Sequence, residues 1–195
     1  MALTKLNARS ATALDATVLT GNLPALNGSS LTNVDAGKIG QIISTHVNSV
    51  DLSTTSSSWA DISGFSAAIT PSATSSKVWV IVTLGLGNGT QTSNNFTRLL
   101  RDSTSIAYGA SLNSNVQGTS YWRVDQGGQS DYDIDYASFS YLDSPSTTSA
   151  TTYKVQWGTN AGTLYLNRAG DLAGTDAYGH CPTASNITVM ELLAW

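Results

Sequence analysis

The sequence predicts an all-β chain, with a jelly-roll-like β-sandwich head over residues 41–195 and an extended N-terminal arm over residues 1–40. Three observations carry this. Charged residues make up only 11% of the 195, and Ser and Thr, with 27 and 25, supply the surface polarity in their place. β-Branched Thr and Val suit pleated strands, whereas four lysines are too few to solvate helix surfaces. Short runs of period-two hydrophobicity, separated by turn residues, fill the chain after residue 40. Before Gly37-Lys38, by contrast, leucines recur with neither a strand nor a helix period.

Taken in order, "QIISTHV" (41–47) opens the head, and "SWADI" around Trp59 and "SAAIT" leading to Pro71-Ser72 follow as separate strands. "KVWVIVTLGL" (77–86) is the strongest strand. It puts Val78, Val80 and Val82 on one face and Trp79, Ile81 and Thr83 on the other. Both faces are apolar, which predicts a central position. "GLGNGT" (85–90) has the glycines of a phosphate loop without G-K-[ST], and reads as a hairpin turn. "NFTRLLRDSTSIAYG" (95–109) reads as a hairpin turning at Asp102-Ser103-Thr104. "YWRVD", "DYDIDYASFSYL", "TYKVQWG", "TLYLNR" and "NITVMELLAW" complete nine or ten short strands at roughly regular spacing, the pattern of a sandwich or jelly roll. The last strand stays apolar to its end, so it belongs inside a sheet or at a subunit interface.

The arm holds a weak repeat at a period of twelve, in which "LDATVLTGN" from Leu14 aligns with "LNGSSLTNV" from Leu26. Two copies cannot bury a core alone, because solenoids need about three repeats. Identical chains lying side by side can do so, each giving Leu14, Leu19, Leu23, Leu26 and Leu31 to a shared axis. Pro24 is harmless in such an intertwined segment, although it would break a central ladder. The alternative is a plain linker.

Composition excludes several classes. A net charge of -4 argues against nucleic-acid binding, which needs clustered Lys and Arg. No run of 18 apolar residues is present, so no membrane insertion is expected, and "MALTKLNARS" lacks the hydrophobic region of a secretory signal. Cys181 is the only cysteine, which points to folding in a reducing cytosol. Five Trp and eight Tyr give the polar chain a core and set it apart from disordered sequences.

Catalytic and metal signals are sparse. Asp131, Asp133 and Asp135 alternate, so one strand would carry all three on one face, where a hard cation such as Ca²⁺ would bridge them. The competing reading is a solvated outer face with Tyr132, Ile134 and Tyr136 packed inward. His180-Cys181 is an isolated pair, no G-x-S-x-G elbow appears, and the acids show no glycosidase pairing. No cofactor is expected, and no enzymatic activity. For binding, "QGTSYWRVDQGGQSDYD" (117–133) carries Tyr121, Trp122 and Arg123, residue types that concentrate recognition energy and stack on sugar faces. A second long, glycine-rich segment, 167–186, carries Tyr178 and His180. The plainer reading makes Trp122 core and both segments connectors.

"LTGNLPALNGSSLTNV" (19–34) resembles the L-x-G-x-x-L-T-x linker repeats of bacteriophage tail-fibre proteins. "ITPSATSSKVWVIV" (69–82), "LLRDSTSIAYG" (99–109), "LDSPSTTSATTYKVQ" (142–156), "LYLNR" (164–168) and "ITVMEL" (187–192) are similar to a β-rich domain at the C-terminal end of phage virion fibre proteins. The head also resembles the trimeric tumour-necrosis-factor and C1q type. This resemblance implies a homotrimeric structural protein on the virion exterior, made in the host cytoplasm. Its arm would attach to other virion proteins, and its head would bind a host-surface polysaccharide or protein. The alternatives are a capsid-attached head fibre or decoration protein and, from another class, a carbohydrate-acting enzyme.

Overall fold

The structure is a computed structural model that describes residues 38–90, 92–110, 117–123, 133–170 and 181–193. The arm leucines Leu14, Leu19, Leu23, Leu26 and Leu31 lie outside the described residues, as do Asp131, Tyr178 and His180. Among the described residues the chain forms strands β1 (Ile39–Val47), β2 (Ser53–Thr54), β3 (Ala60–Ile69), β4 (Lys77–Asn88), β5 (Asn94–Arg101) and β6 (Thr104–Ile106). They continue as β7 (Ser120–Arg123), β8 (Asp135–Asp143), β9 (Thr151–Thr159), β10 (Leu164–Leu166) and β11 (Ser185–Leu192).

Two antiparallel sheets result. In the first, the principal strands run β8-β4-β11-β1, with β10 and β2 continuing beyond β11 along the same edge of β4. In the second the order is β3-β9-β5, and β7 and β6 share the outer edge of β5. The pairs nest: β1 with β11, β3 with β9, β4 with β8, and β5 with β7. A long antiparallel ribbon folded over itself in this way is the connectivity of a jelly roll. The all-β expectation is met, and β4 is central, paired along both edges.

Alternation builds the core between the sheets. Val78, Val80, Val82, Leu84 and Leu86 on the inward face of β4 are fully buried, and so are Phe65, Leu99, Tyr153 and Val155 from the facing sheet. Each such side chain contributes about 2 kcal/mol of apolar burial. Polar ties join the sheets at both ends. At one end Asp143 of β8 accepts from Arg101 Nη1 at 2.9 Å and from the Tyr153 hydroxyl at 2.7 Å. At the other, Asn88 Nδ2 donates to Asn95 Oδ1 at 3.0 Å and to Thr159 Oγ1 at 3.1 Å.

Three local expectations change. "SWADI" and "SAAIT" are one strand, β3, whose register shifts between Asp61 and Ser66. Gly64 sits there at φ 71°, a left-handed conformation that glycine adopts without strain, and it allows the bulge. "GLGNGT" is not a hairpin turn: Gly85 to Asn88 extend β4, and the chain then crosses to the other sheet. At the start of β8 the expected parity is inverted. Tyr136 is 58% exposed, while Ala137 is buried opposite Leu84. The hairpin between β5 and β6 turns at Asp102 (φ 54°) as expected.

Candidate functional site

The outer face of the second sheet carries an open concavity. Register places its residues in two rows. Gly158 of β9 lies opposite Phe96 of β5, and Phe96 lies opposite Tyr121 of β7. One step along, Asp61, Gln156 and Arg98 form the neighbouring row. Residues 95 and 97, which alternate with these, point inward: Asn95 and Thr97 are fully buried. The first half of the strand therefore reverses the usual arrangement, holding polar side chains inside and Phe96 outside, before Leu99 returns an apolar side chain to the core.

Phe96 stays 91% covered on that outer face because its neighbours close over it. Trp59 meets it edge-on, with ring centroids 4.8 Å apart at 78°. Gly158 leaves the space the ring occupies: a Cβ there would lie 2.6 Å from Phe96 Cζ. Arg98 lays its guanidinium over Trp59 at 4.5 Å and gives both Nε (2.8 Å) and Nη2 (2.6 Å) to Gln156 Oε1. Asp61 completes the row, accepting from Lys154 Nζ at 2.7 Å and Gln156 Nε2 at 2.6 Å. Those bonds hold the Asp61 carboxyl below its usual range.

Over this floor lies an open cleft of about 670 Å³, walled by Asn94, Gln117, Tyr121 and Asn160 with backbone from Gly109 and Gly118. A second, smaller hollow shares Gln117 with it and is lined by Trp59, Arg98, Tyr108, Thr104 and Ser105. The walls are oriented in advance. Tyr121 donates its hydroxyl proton to Asn94 Oδ1 at 2.6 Å, and Asn160 Oδ1 accepts from the Asn94 backbone N–H at 2.6 Å. Gln117 Nε2 donates to the Gly109 carbonyl at 3.1 Å. No carboxylate is among the lining residues of either hollow.

The residues singled out from sequence divide accordingly. Tyr121 faces the cleft and is 62% exposed; Arg123, exposed, points to the same side of β7, opposite Asn94. Trp122 points the other way and packs against the core, as strand alternation requires. Asp135 opens β8 and Asp133 precedes it, so the two do not share one strand face. Among the described residues no group of three or more His, Cys, Asp and Glu gathers. Cys181 is exposed, with its Sγ 3.7 Å from the Pro182 carbonyl. Trp59, Phe96, Tyr108 and Gln117 were not singled out from sequence. The usable signal was Phe96 and Arg98 two apart on one strand, but Asn95 and Thr97, which alternate with them, argue for the wrong face.

Fold and cleft together define an all-β, jelly-roll-like module with a shallow, aromatic and amide-lined recess on one outer face. The chain is similar in fold to the VP2 subviral particle of infectious bursal disease virus. The TM-score is 0.37 at 14% identity, over 88% of this chain and 46% of that one. The T=1 particles derived from the same virus give a TM-score of 0.38 at 14% identity, over 88% and 44%. The chain thus spans less than half the length of either. No protein-family model matches it, and no curated protein matches it.

Proposed function

We propose that the chain is a bacteriophage virion structural protein, a homotrimeric tail fibre whose head adheres to the host surface and performs no chemistry there. The observation that carries adhesion is one of position. The head's first strand begins at Ile39, which pairs with Leu192, itself opposite Lys77 at the start of β4. The cleft residues Asn94 and Asn160 lie at the far end of β4, where Asn88 bonds Asn95. By strand rise the two ends are roughly 35 Å apart. A module whose first strand begins at one end and whose cleft opens at the other suits a tip. The segments that resemble phage fibre proteins fall on β3–β4, β5–β6, β8–β9, β10 and β11, the frame that supports the cleft.

Self-association is supported by the outer face of the first sheet. Ile42, Met190, Trp79 and Leu142 lie opposite one another across four strands, and Ile42, Trp79 and Leu142 are each at least 40% exposed. We assign this row to contact with further copies of the chain, because a contiguous exposed apolar row on an outer sheet face marks an interaction surface. Threefold repetition then turns weak contacts of each cleft into avidity.

Excess purified chain is expected to reduce adsorption of particles to host cells, and gold-labelled antibody to the head is expected to decorate tail tips. Label confined to the capsid shell, with adsorption unchanged, overturns the tail-fibre assignment in favour of a decoration protein. Incubation with host glycans is expected to release nothing. Cleavage that disappears in Asp133→Asn or Asp135→Asn would overturn adhesion without chemistry.

A further inference from the structure

We propose that the trough running from Tyr121 over Phe96 to Trp59 and Tyr108 binds an uncharged oligosaccharide, reading it through ring faces and amide groups and not through charge. This rests on the adhesion reading above and names its ligand class. Sugar rings present a patch of C–H groups on one face and hydroxyls around the edge. A site for them needs exposed aromatic surface flanked by groups that both donate and accept. Tyr121 and Tyr108, 62% and 51% exposed, supply the first. Asn94, Asn160 and Gln117 supply the second, and the contacts that orient them leave the Nδ2 groups of both asparagines and Oε1 of Gln117 facing no partner in those bonds.

Charge is sparse on this face and already engaged with neighbouring side chains. The Arg98 guanidinium gives two of its donors to Gln156 and its flat face to Trp59, and the carboxylate of Asp61 is bonded by Lys154 and Gln156. An anionic polymer would meet one cation among the lining residues, Arg98, whose guanidinium already lies against Trp59 and Gln156, too little positive charge to favour an anionic chain. Arg123 stands outside the lining, opposite Asn94 on the same face, where its charge could change that preference. The floor is a pair of hydrogen-bonded strands and the walls are tethered, so little ordering cost falls on binding.

Saturation-transfer NMR on the full-length chain tests this. The probes are maltohexaose and the N-acetylglucosamine hexamer as neutral sugars, with oligogalacturonate and heparin fragments as anionic ones. At least one neutral probe is expected to bind, to weaken about tenfold in Tyr121→Ala and in Tyr108→Ala, and to be unaffected by Arg123→Gln. Both tyrosines are exposed, and circular dichroism verifies that the variants fold. Binding restricted to the anionic probes and lost in Arg123→Gln overturns the proposal, and so does absence of binding to every neutral probe at roughly 10 mM. Adsorption assays separate the two readings. If Tyr121→Ala and Tyr108→Ala chains compete with particles as well as the unaltered chain does, the cleft assignment falls and adhesion stands. If a neutral sugar binds but no chain competes, adhesion falls and the cleft stands.

Discussion

Glu191 lies at 1% exposure between the sheets, where an ionised carboxyl would be costly without partners. Burial pushes its pKa up, but hydrogen bonds outweigh this: Gln41 Nε2 donates at 2.9 Å, Ser72 N–H at 2.6 Å and the Ser72 hydroxyl at 2.7 Å. Together they lower it from 4.5 to about 2. A depressed folded-state pKa stabilises the native chain fully above the unfolded value, and that stability is lost as pH falls through the folded one. Urea melts are therefore expected to lose about 3 kcal/mol between roughly pH 5 and pH 2, and Glu191→Gln to flatten that slope. Gly158 is the second residue whose surroundings dictate its identity. Gly158→Ala is expected to cost about 1–3 kcal/mol in the same melts by forcing Phe96 off its seat, and to alter the cleft floor with it.

At the scale of elements, the bond between the sheets at Asp143 is the most concentrated. Asp143 is 5% exposed and Tyr153 is fully buried, so truncating the acid strands a buried hydroxyl and a half-buried guanidinium. Asp143→Ala is expected to destabilise the head by about 3 kcal/mol and Tyr153→Phe by about 1 kcal/mol. A double-mutant cycle should show coupling between them. The elements also show what the sequence could reveal. Alternation in β4, β9 and β11 was legible because a strand's side chains repeat every two residues and its inward positions are mainly apolar: Val78, Val80 and Val82 in β4, Tyr153, Val155 and Trp157 in β9, Ile187 and Val189 in β11. β5 was legible as a strand but not in its facing. Its inward Asn95 is satisfied by its neighbour Ser93 and by Asn88 of the other sheet, a partner that meets it only when the two sheets pack. The same limit applies to Trp122, since alternation separates it from Tyr121 but cannot say which of the two faces the core. Likewise "GLGNGT" carries turn residues, yet whether glycines end a strand or let another segment press against it depends on partners far along the chain.

For the whole molecule, the apolar row across the first sheet yields a quantitative expectation. Sedimentation equilibrium of the full chain should give a trimer, and Trp79→Ser combined with Leu142→Ser should shift it toward monomer while far-ultraviolet circular dichroism stays unchanged. A monomeric unaltered chain would refute the assembly. The order of the sheets was not readable from sequence, because periodicity within a strand contains no information about its neighbours. That order has a consequence for synthesis. The outermost pair of the nested ribbon joins the first long strand to the last, so Ser44 meets Thr188 across 144 positions. Emerging from the ribosome, β1 has no edge to join until nearly the entire head has been translated, while the innermost β5–β6 hairpin can close at once. The head should mature from its middle outward, with β1 and its isoleucines exposed to chaperones or to neighbouring nascent chains until the final strand arrives.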